Sequence, residues 1–203
     1  MTGKIKNTLA LQRGASRAIH PLFLERWSPR SFSERAVPQA DIDRMLEAAR
    51  FAPSWYNVQP WRFAVSHRGD DNWDEVVSLF DELNAVWAPS ASALVFLASD
   101  TVVSWRDDRE DQAASYNSFD AGAAWAQFAL QATEMGYFTH AVAGLKHDEA
   151  RAVLSIPARY KLEIAIVLGH RSAPERLPDY LQEREKPSSR LALEEIAGRG
   201  RFI

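Results

Sequence analysis

The residue pattern predicts a single α+β domain, and three features carry that prediction. Ile42, Met45, Leu46 and Ala49 fall at the i, i+3, i+4, i+7 spacing that places one apolar stripe along a helix. Ala93–Leu97 and Leu162–Leu168 are short continuous apolar runs, the pattern of strands covered on both faces. Residues 119–135 contain Ala121, Ala123, Ala124, Trp125, Ala126, Phe128, Ala129 and Leu130, which leave almost no polar face. A helix apolar all round belongs either at the centre of a fold or in a subunit interface.

The remaining elements follow in order. Residues 1–20 form a weakly patterned N-terminal extension, where Ile5, Leu9 and Ile19 could share a helix that Gly14 and Pro21 limit. Pro29 ends any helix near Trp27 and leaves Arg26, Ser28 and Arg30 at alternate positions. Alternate residues of an extended segment point the same way, so two guanidiniums and a hydroxyl can converge on one anion, with a solvated surface as the plain alternative. Pro38 opens the first amphipathic helix, where its missing N–H costs nothing. Arg62–Ser66 reads as a strand, and Asp70-Asp-Asn72 as a turn or cap before one helix carrying Val76, Val77, Phe80, Leu83, Val86 and Trp87. Residues 101–117 are polar and aromatic, as in a mobile loop or lid. Gly136 is placed to end the apolar helix. Tyr137–Leu145 reads as a small-residue loop, Lys146–Leu154 as a short helix stopped by Pro157, and 171–203 as an arm laid over the domain or over a partner subunit.

Composition narrows the function. The chain has 203 residues, 46% hydrophobic and 25% charged, within the range of a soluble domain with a real core. A net charge of −3 argues against nucleic acid as the main partner. Charge is uneven, however: residues 1–35 carry Lys4, Lys6, Arg13, Arg17, Arg26, Arg30 and Arg35 against only Glu25 and Glu34, a basic segment suited to a bound anion or to an acidic partner within the chain, with a solvated face as the plain alternative. With no cysteine, thiol nucleophiles, disulfides and Cys-ligated metals are excluded, and no metal site is expected. The longest apolar run, near Ala91–Ala98, is too short to span a bilayer, and the N-terminus lacks a secretory core, so a cytoplasmic location is expected.

One stretch stands apart: Phe51-Ala-Pro-Ser-Trp-Tyr-Asn-Val-Gln-Pro-Trp-Arg-Phe63. Pro53 and Pro60 bias the residues before them away from the helical region, which makes the segment a connector. An ordinary connector is small and polar. This one carries Trp55, Tyr56 and Trp61, whose faces need something flat and apolar, with Ser54, Asn57 and Gln59 among them. A planar heteroaromatic ligand would use both kinds of group; a packed core corner with satisfied amides is the alternative.

The ordered set Arg26-Trp-Ser-Pro-Arg30, Ala52-Pro-Ser-Trp-Tyr-Asn57-Val-Gln-Pro-Trp61, Asp120-Ala-Gly-Ala-Ala124, Thr139-His-Ala-Val-Ala-Gly144 and Arg190 before Leu193-Glu-Glu resembles the FMN-dependent nitroreductase family, from about residue 20 onward. The resemblance implies a mixed, largely antiparallel sheet flanked by helices, and an intimate homodimer. The apolar helix 119–135 would form the dimer core, and the C-terminal arm would reach over the neighbour. It implies FMN in the subunit interface. Arg26, Trp27, Ser28 and Arg30, with Arg190, would hold the phosphate and flavin edge. Pro53, Ser54, Trp55, Asn57 and Gln59 would pack on the ring from the other subunit. The His140 segment with Ala143 and Gly144 would bring backbone N–H groups to its reactive side.

The implied chemistry is hydride transfer from NAD(P)H to the flavin and then, in ping-pong fashion, to a nitroaromatic, quinone or similar small electron acceptor. The flavin carries the chemistry, so no side chain is expected as a catalytic acid or base, and His140 is read as structural. Three departures from the family pattern stand out. Trp55 and Tyr56 replace small residues, Arg190 lacks an adjacent second basic residue, and Leu145-Lys146 follow Gly144 where relatives place an aromatic and an acid. Two alternatives remain within the resemblance: a specialised relative, such as a reductive dehalogenase or flavin-cleaving enzyme, and a non-catalytic flavin-binding protein.

Overall fold

The structure, a computed structural model, describes residues 13–105 and 109–202; Ile5, Leu9 and most of the N-terminal extension lie outside the described residues. In chain order the helices are α1 (Pro21–Glu25), α2 (Gln39–Arg50), α3 (Trp73–Val77), α4 (Glu82–Ala85), α5 (Asn117–Glu134), α6 (His147–Val153) and α7 (Asp179–Gln182). The strands are β1 (Trp61–His67), β2 (Ala93–Asp100), β3 (Val102–Val103), β4 (Gln112–Ala113), β5 (Phe138–Val142) and β6 (Tyr160–Gly169). Strands β1, β2, β6 and β5 lie side by side in that order, every pair antiparallel, while β3 and β4 form a small hairpin of their own.

Both central strands, β2 and β6, are the two apolar runs of the sequence, and all of β2 is buried. Each face of the sheet has its own core. On one, α2 and α5 pack through Ile42, Met45, Ala49, Ala124 and Phe128 against Val95, Leu97, Ile166 and Leu168. On the other, Leu94, Phe96, Leu162 and Val167 meet Val76, Phe80, Trp87 and Leu181. Each fully buried Leu, Ile or Phe contributes about 1.5–3 kcal/mol, so these faces supply most of the favourable free energy. A register shift opposite Leu97 and Ala98 inserts Glu163 between Leu162 and Ile164, which turns those two side chains to opposite faces. The Glu163 carboxylate accepts from Ser99 (2.6 Å), Ser118 (2.7 Å) and Lys161 (2.9 Å). Burial pushes its pKa up, but those donors and the Lys161 charge outweigh burial and leave it lowered.

Several expected elements are redrawn. The single helix expected after Asp70 is broken into α3 and α4, because Phe80 bridges to Leu145 between them and Asp81 starts a new helix by accepting from Asn84 N (2.9 Å). The small-residue loop at 137–145 is largely the edge strand β5, whose backbone pairs with β6 from Phe138 to Val142. Gly136 does close α5, in the left-handed region at φ 81°. The expected lid at 101–117 contains the β3–β4 hairpin. Arg159 anchors it: Nε donates to Asp100 (2.6 Å), and Nη2 to Val102 O (3.2 Å) and Ser104 (3.0 Å).

Candidate functional site

Two corners of the molecule hold the residues singled out by the sequence. At the β5 edge, the chain leaves α1 extended, and Arg26, Ser28 and Arg30 line one cavity of about 300 Å³. His140 lines it from β5, and Arg184, Lys186 and Ser188 from the arm. Trp27 anchors the segment from below: it is buried, with its ring edge-on to Phe138 at 6.3 Å and the Arg171 guanidinium 5.4 Å from its centre.

The arm is held to its own chain by Glu185. This buried carboxylate accepts from the backbone N–H of Arg30 (2.9 and 3.0 Å) and of Ser31 (2.9 Å), while Ser31 Oγ donates to Ala173 O (2.6 Å). Arg13 adds a second clasp. Nearly fully buried, it donates to the carbonyls of Leu24, of Arg26 (2.9 Å) and of Ser188 (3.3 Å). The expected arm therefore divides at about residue 190. The part before it is fastened to the protomer it belongs to, whereas Leu191, Leu193 and Ile196 beyond it leave their side chains exposed.

No acidic side chain lines the cavity. Burial lowers the pKa of Arg26, and the nearby Arg190 lowers it further; burial likewise lowers that of Arg30, followed by Arg184, with Glu185 opposing. All stay charged at neutral pH, so the cavity holds mutually repelling cations that the Glu185 carboxylate offsets only in part, at Arg30. His140 is pushed down to about 4, chiefly by burial, with Arg30 and Arg26 adding to that and hydrogen bonds to backbone opposing it. It is therefore neutral at pH 7. Its Nδ1 lies 2.9 Å from Pro29 O, which can only accept, so Nδ1 carries the proton and pins the Arg26–Arg30 segment to β5. Arg190 lies beyond Arg26, beside Gly14 and Arg13, and does not line this cavity.

Ala143 and Gly144 follow β5 on the same edge. A Cβ on Gly144 would fall inside van der Waals contact of the Asp81 carboxylate and 2.8 Å from Asn84 Nδ2. The glycine is thus demanded by the start of α4, whose Asp81 N donates to Gly144 O (3.1 Å).

The second corner lies at the other edge of the sheet. Pro53 and Ser54 lead into a tight turn in which Tyr56, Asn57 and Gln59 all take positive φ (46°, 56° and 50°). Such backbone is uncommon outside glycine, and three instances within four residues need outside support. Ser54 Oγ accepts from Gln59 N (3.0 Å), Gln59 Nε2 donates to Asn57 O (3.1 Å), and the buried Asp120 carboxylate accepts from Trp55 N (3.1 Å). Burial raises the pKa of Asp120, and the Trp55 N–H pulls the other way. Around this turn Trp55 contacts Tyr56 at 4.8 Å, Trp105 at 5.7 Å and Tyr116 at 5.8 Å between ring centres. The segment expected as a lid thus supplies two rings of an aromatic box.

The pairing register separates the corners. His140 pairs with Val167, Val167 with Leu94 and Leu94 with Ser66, whereas Trp61, next to the turn, is five residues along β1 from Ser66. Three strand spacings and five residues amount to about 14 Å across and about 17 Å along, or roughly 22 Å on the diagonal. The residues expected to share one ligand occupy opposite corners of one chain. Reading the sequence placed Arg13 in a basic segment without giving it a site role and missed Arg184, Glu185 and Lys186, which are ordinary surface charges until the arm is docked. Among the described residues, no group of His, Asp or Glu could hold a metal ion, and no helix is long and apolar enough to cross a membrane.

The fold that carries this cavity and turn has counterparts. The family model described as "Nitroreductase family" matches residues 24–86 and 70–170. The chain belongs to the nitroreductase family. A crystal structure described as an oxidoreductase containing FMN superposes with a TM-score of 0.90 at 39% identity, covering 94% of this chain and 96% of that one. A nitroreductase family protein from Streptococcus pneumoniae shares the fold at a TM-score of 0.72 and 22% identity, over 88% and 98% of the two chains. A Streptococcus pyogenes protein provisionally named an NAD(P)H nitroreductase is 24% identical, over 86% of this chain and 96% of its own length.

Proposed function

We propose that the protein is an FMN-dependent oxidoreductase that works as a homodimer, taking hydride from NAD(P)H and passing electrons to a small nitroaromatic, quinone or similar acceptor. The observation that carries this reading is the cavity of part-buried, mutually repelling arginines on the β5 edge, which no acidic side chain lines. A phosphate dianion is the group such a cavity fits, because planar, always-charged guanidiniums match its oxygens. Arg26 and Arg30, with the Ser28 hydroxyl, would hold that phosphate, and Arg190 would raise the potential behind Arg26. When bound, FMN supplies the hydride-accepting and electron-donating chemistry.

The chain's own residues bind and orient. Glu185 and His140 fix the backbone that carries the arginines, and a neutral His140 adds no charge of its own. The backbone after β5, at Ala143 and Gly144, is on the same edge and would present N–H groups to the flavin ring. A flavin anchored in this cavity cannot reach Trp55 of the same chain without crossing the sheet diagonally. A second copy removes that conflict by bringing its own Pro53–Gln59 turn to the ring. Helix α5 offers a surface for that copy: Phe119 is 77% exposed, Ala126 is exposed, and Trp125 and Leu130 are half-buried. An apolar helix left open on one side is the kind of face a dimer covers.

The test is the absorbance spectrum of the purified protein, recorded anaerobically before and after NADPH or NADH. Flavin bands that bleach are expected. A protein that stays colourless after incubation with FMN would overturn the reading, and flavin bands that neither donor bleaches would leave only a flavin-binding role.

A further inference from the structure

The cations on the β5 edge exceed what one phosphate needs, and they fall into two groups. The first is Arg13, Arg26 and Arg190; burial and then Arg190 lower the pKa of both Arg13 and Arg26. The second is Arg30 and Arg184, with Lys186 beside them in the cavity wall. Glu185 is turned inward onto the Arg30 and Ser31 N–H groups, while its neighbours Arg184 and Lys186 stay exposed. Among the described residues, neither the Arg184 nor the Lys186 side chain makes a hydrogen bond or ion pair. Both cations and Ser188 also line a second, wider cavity of about 840 Å³, together with Glu183, Pro187 and Ser189. Arg184, Lys186 and Ser188 therefore line both the proposed FMN phosphate cavity and this second, adjoining cavity, a groove along the arm.

We propose that Arg184 and Lys186, with Ser188, form a second anion subsite that takes the 2′-phosphate of the electron donor, so that the protein prefers NADPH to NADH. This rests on the FMN reading above. FMN brings a single phosphate, and Arg26, Ser28 and Arg30 account for it, so Arg184, Lys186 and Ser188 face the groups of whatever ligand enters the adjoining groove. The donor must enter beside the flavin, and its adenosine end lies farthest from the nicotinamide. An exposed wall at the rim suits that end. A phosphomonoester concentrates two negative charges on three oxygens, and a guanidinium, an ammonium and a hydroxyl are matched donors for it.

The probes are adenosine 2′,5′-bisphosphate and adenosine 5′-monophosphate, titrated by calorimetry into the FMN-loaded protein at two salt concentrations. The bisphosphate is expected to bind roughly tenfold or more tightly than the monophosphate, the yield of one charge-assisted contact, with the advantage shrinking in high salt. The Arg184→Ser/Lys186→Ser double variant should bring that ratio close to one, and should bring the NADPH-to-NADH ratio of KM values toward one as well. Both residues are exposed, so folding is not at stake, and the unsubstituted protein alone already decides whether the subsite exists. Equal affinities for the two nucleotides, or an unchanged preference in the double variant, overturn this proposal while a retained flavin keeps the FMN reading intact. Failure of the unsubstituted protein to retain FMN overturns both.

Discussion

The two corners of the sheet hold their ligand-facing groups by opposite means. At the β5 edge the Arg30 and Ser31 N–H groups are held by Glu185, and the cost is electrostatic: arginines lie close together and part-buried with only that one carboxylate against them. At the β1 edge the cost is conformational, stored in three residues at positive φ. A phosphate can repay the first kind of cost, because it neutralises. Only a rigid surface that needs its rings held in one orientation makes use of the second. The difference separates an anchor from a wall, and each corner can be broken in its own way.

The largest effect is expected from Glu185→Ala. It strips the Arg30 and Ser31 N–H groups of their acceptor and leaves Arg30 and Arg184 uncompensated. A loss of about 3–5 kcal/mol in urea unfolding is expected, together with loss of FMN retention. A variant that keeps its stability would show that the arm is not needed at this corner.

His140 gives the next effect, as a pH dependence. Its folded pKa of about 4 lies below the ordinary value of 6.5, so the folded state favours the neutral ring. That stability is fully present above about pH 6.5 and is lost as pH falls toward 4, because the unfolded chain takes up the proton first. The expected loss is on the order of 2–3 kcal/mol across that window. His140→Gln, which cannot titrate, should flatten the slope in denaturation series between pH 4 and 7.

Arg26→Ala is expected to weaken FMN by about 1.5–3 kcal/mol, read by flavin fluorescence on titration, with unfolding little changed. Gly144→Ala should cost about 1–2 kcal/mol, since the methyl group displaces the Asp81 side chain that caps α4. The smallest effect has the opposite sign. Gln59→Gly relieves one positive φ at the β1 edge, and a gain of about 0.5 kcal/mol in thermal or urea unfolding is expected after glycine's entropy is counted. A loss there would mean that the turn is not strained.

How far the sequence foretold these corners depends on range. The central strands and α5 were plain in it, because continuous apolar runs report burial directly, and α2 showed itself by its stripe. The convergence of Arg26, Ser28 and Arg30 on one cavity was one of two readings that their alternation left open. The break between α3 and α4 was hidden, because Phe80 continues the helical apolar pattern while its backbone bridges to Leu145, far along the chain. β5 was hidden for a related reason. Thr139-His-Ala-Val carries little apolar signal, and the segment is a strand only because β6 offers an edge. Arg184, Glu185 and Lys186 read as a solvated charge run, and what distinguishes them is a carboxylate bonded to an N–H 155 positions earlier. Tyr56, Asn57 and Gln59 gave no hint of their backbone geometry beyond Pro60 nearby.

The same Glu185 contact sets an order of events. It closes almost the longest loop the chain allows, so forming it is slow by its entropy and must follow assembly of the sheet. During synthesis the segment Arg26–Arg30 emerges early, yet its acceptor emerges only after β6 is complete. Until then the nascent domain can hold a sheet and two cores, but its arginines are carried on an unfastened strand. If the cavity takes FMN as proposed, cofactor capture would be a terminal event of maturation, and a chain arrested before residue 185 would be folded in its interior and empty of flavin.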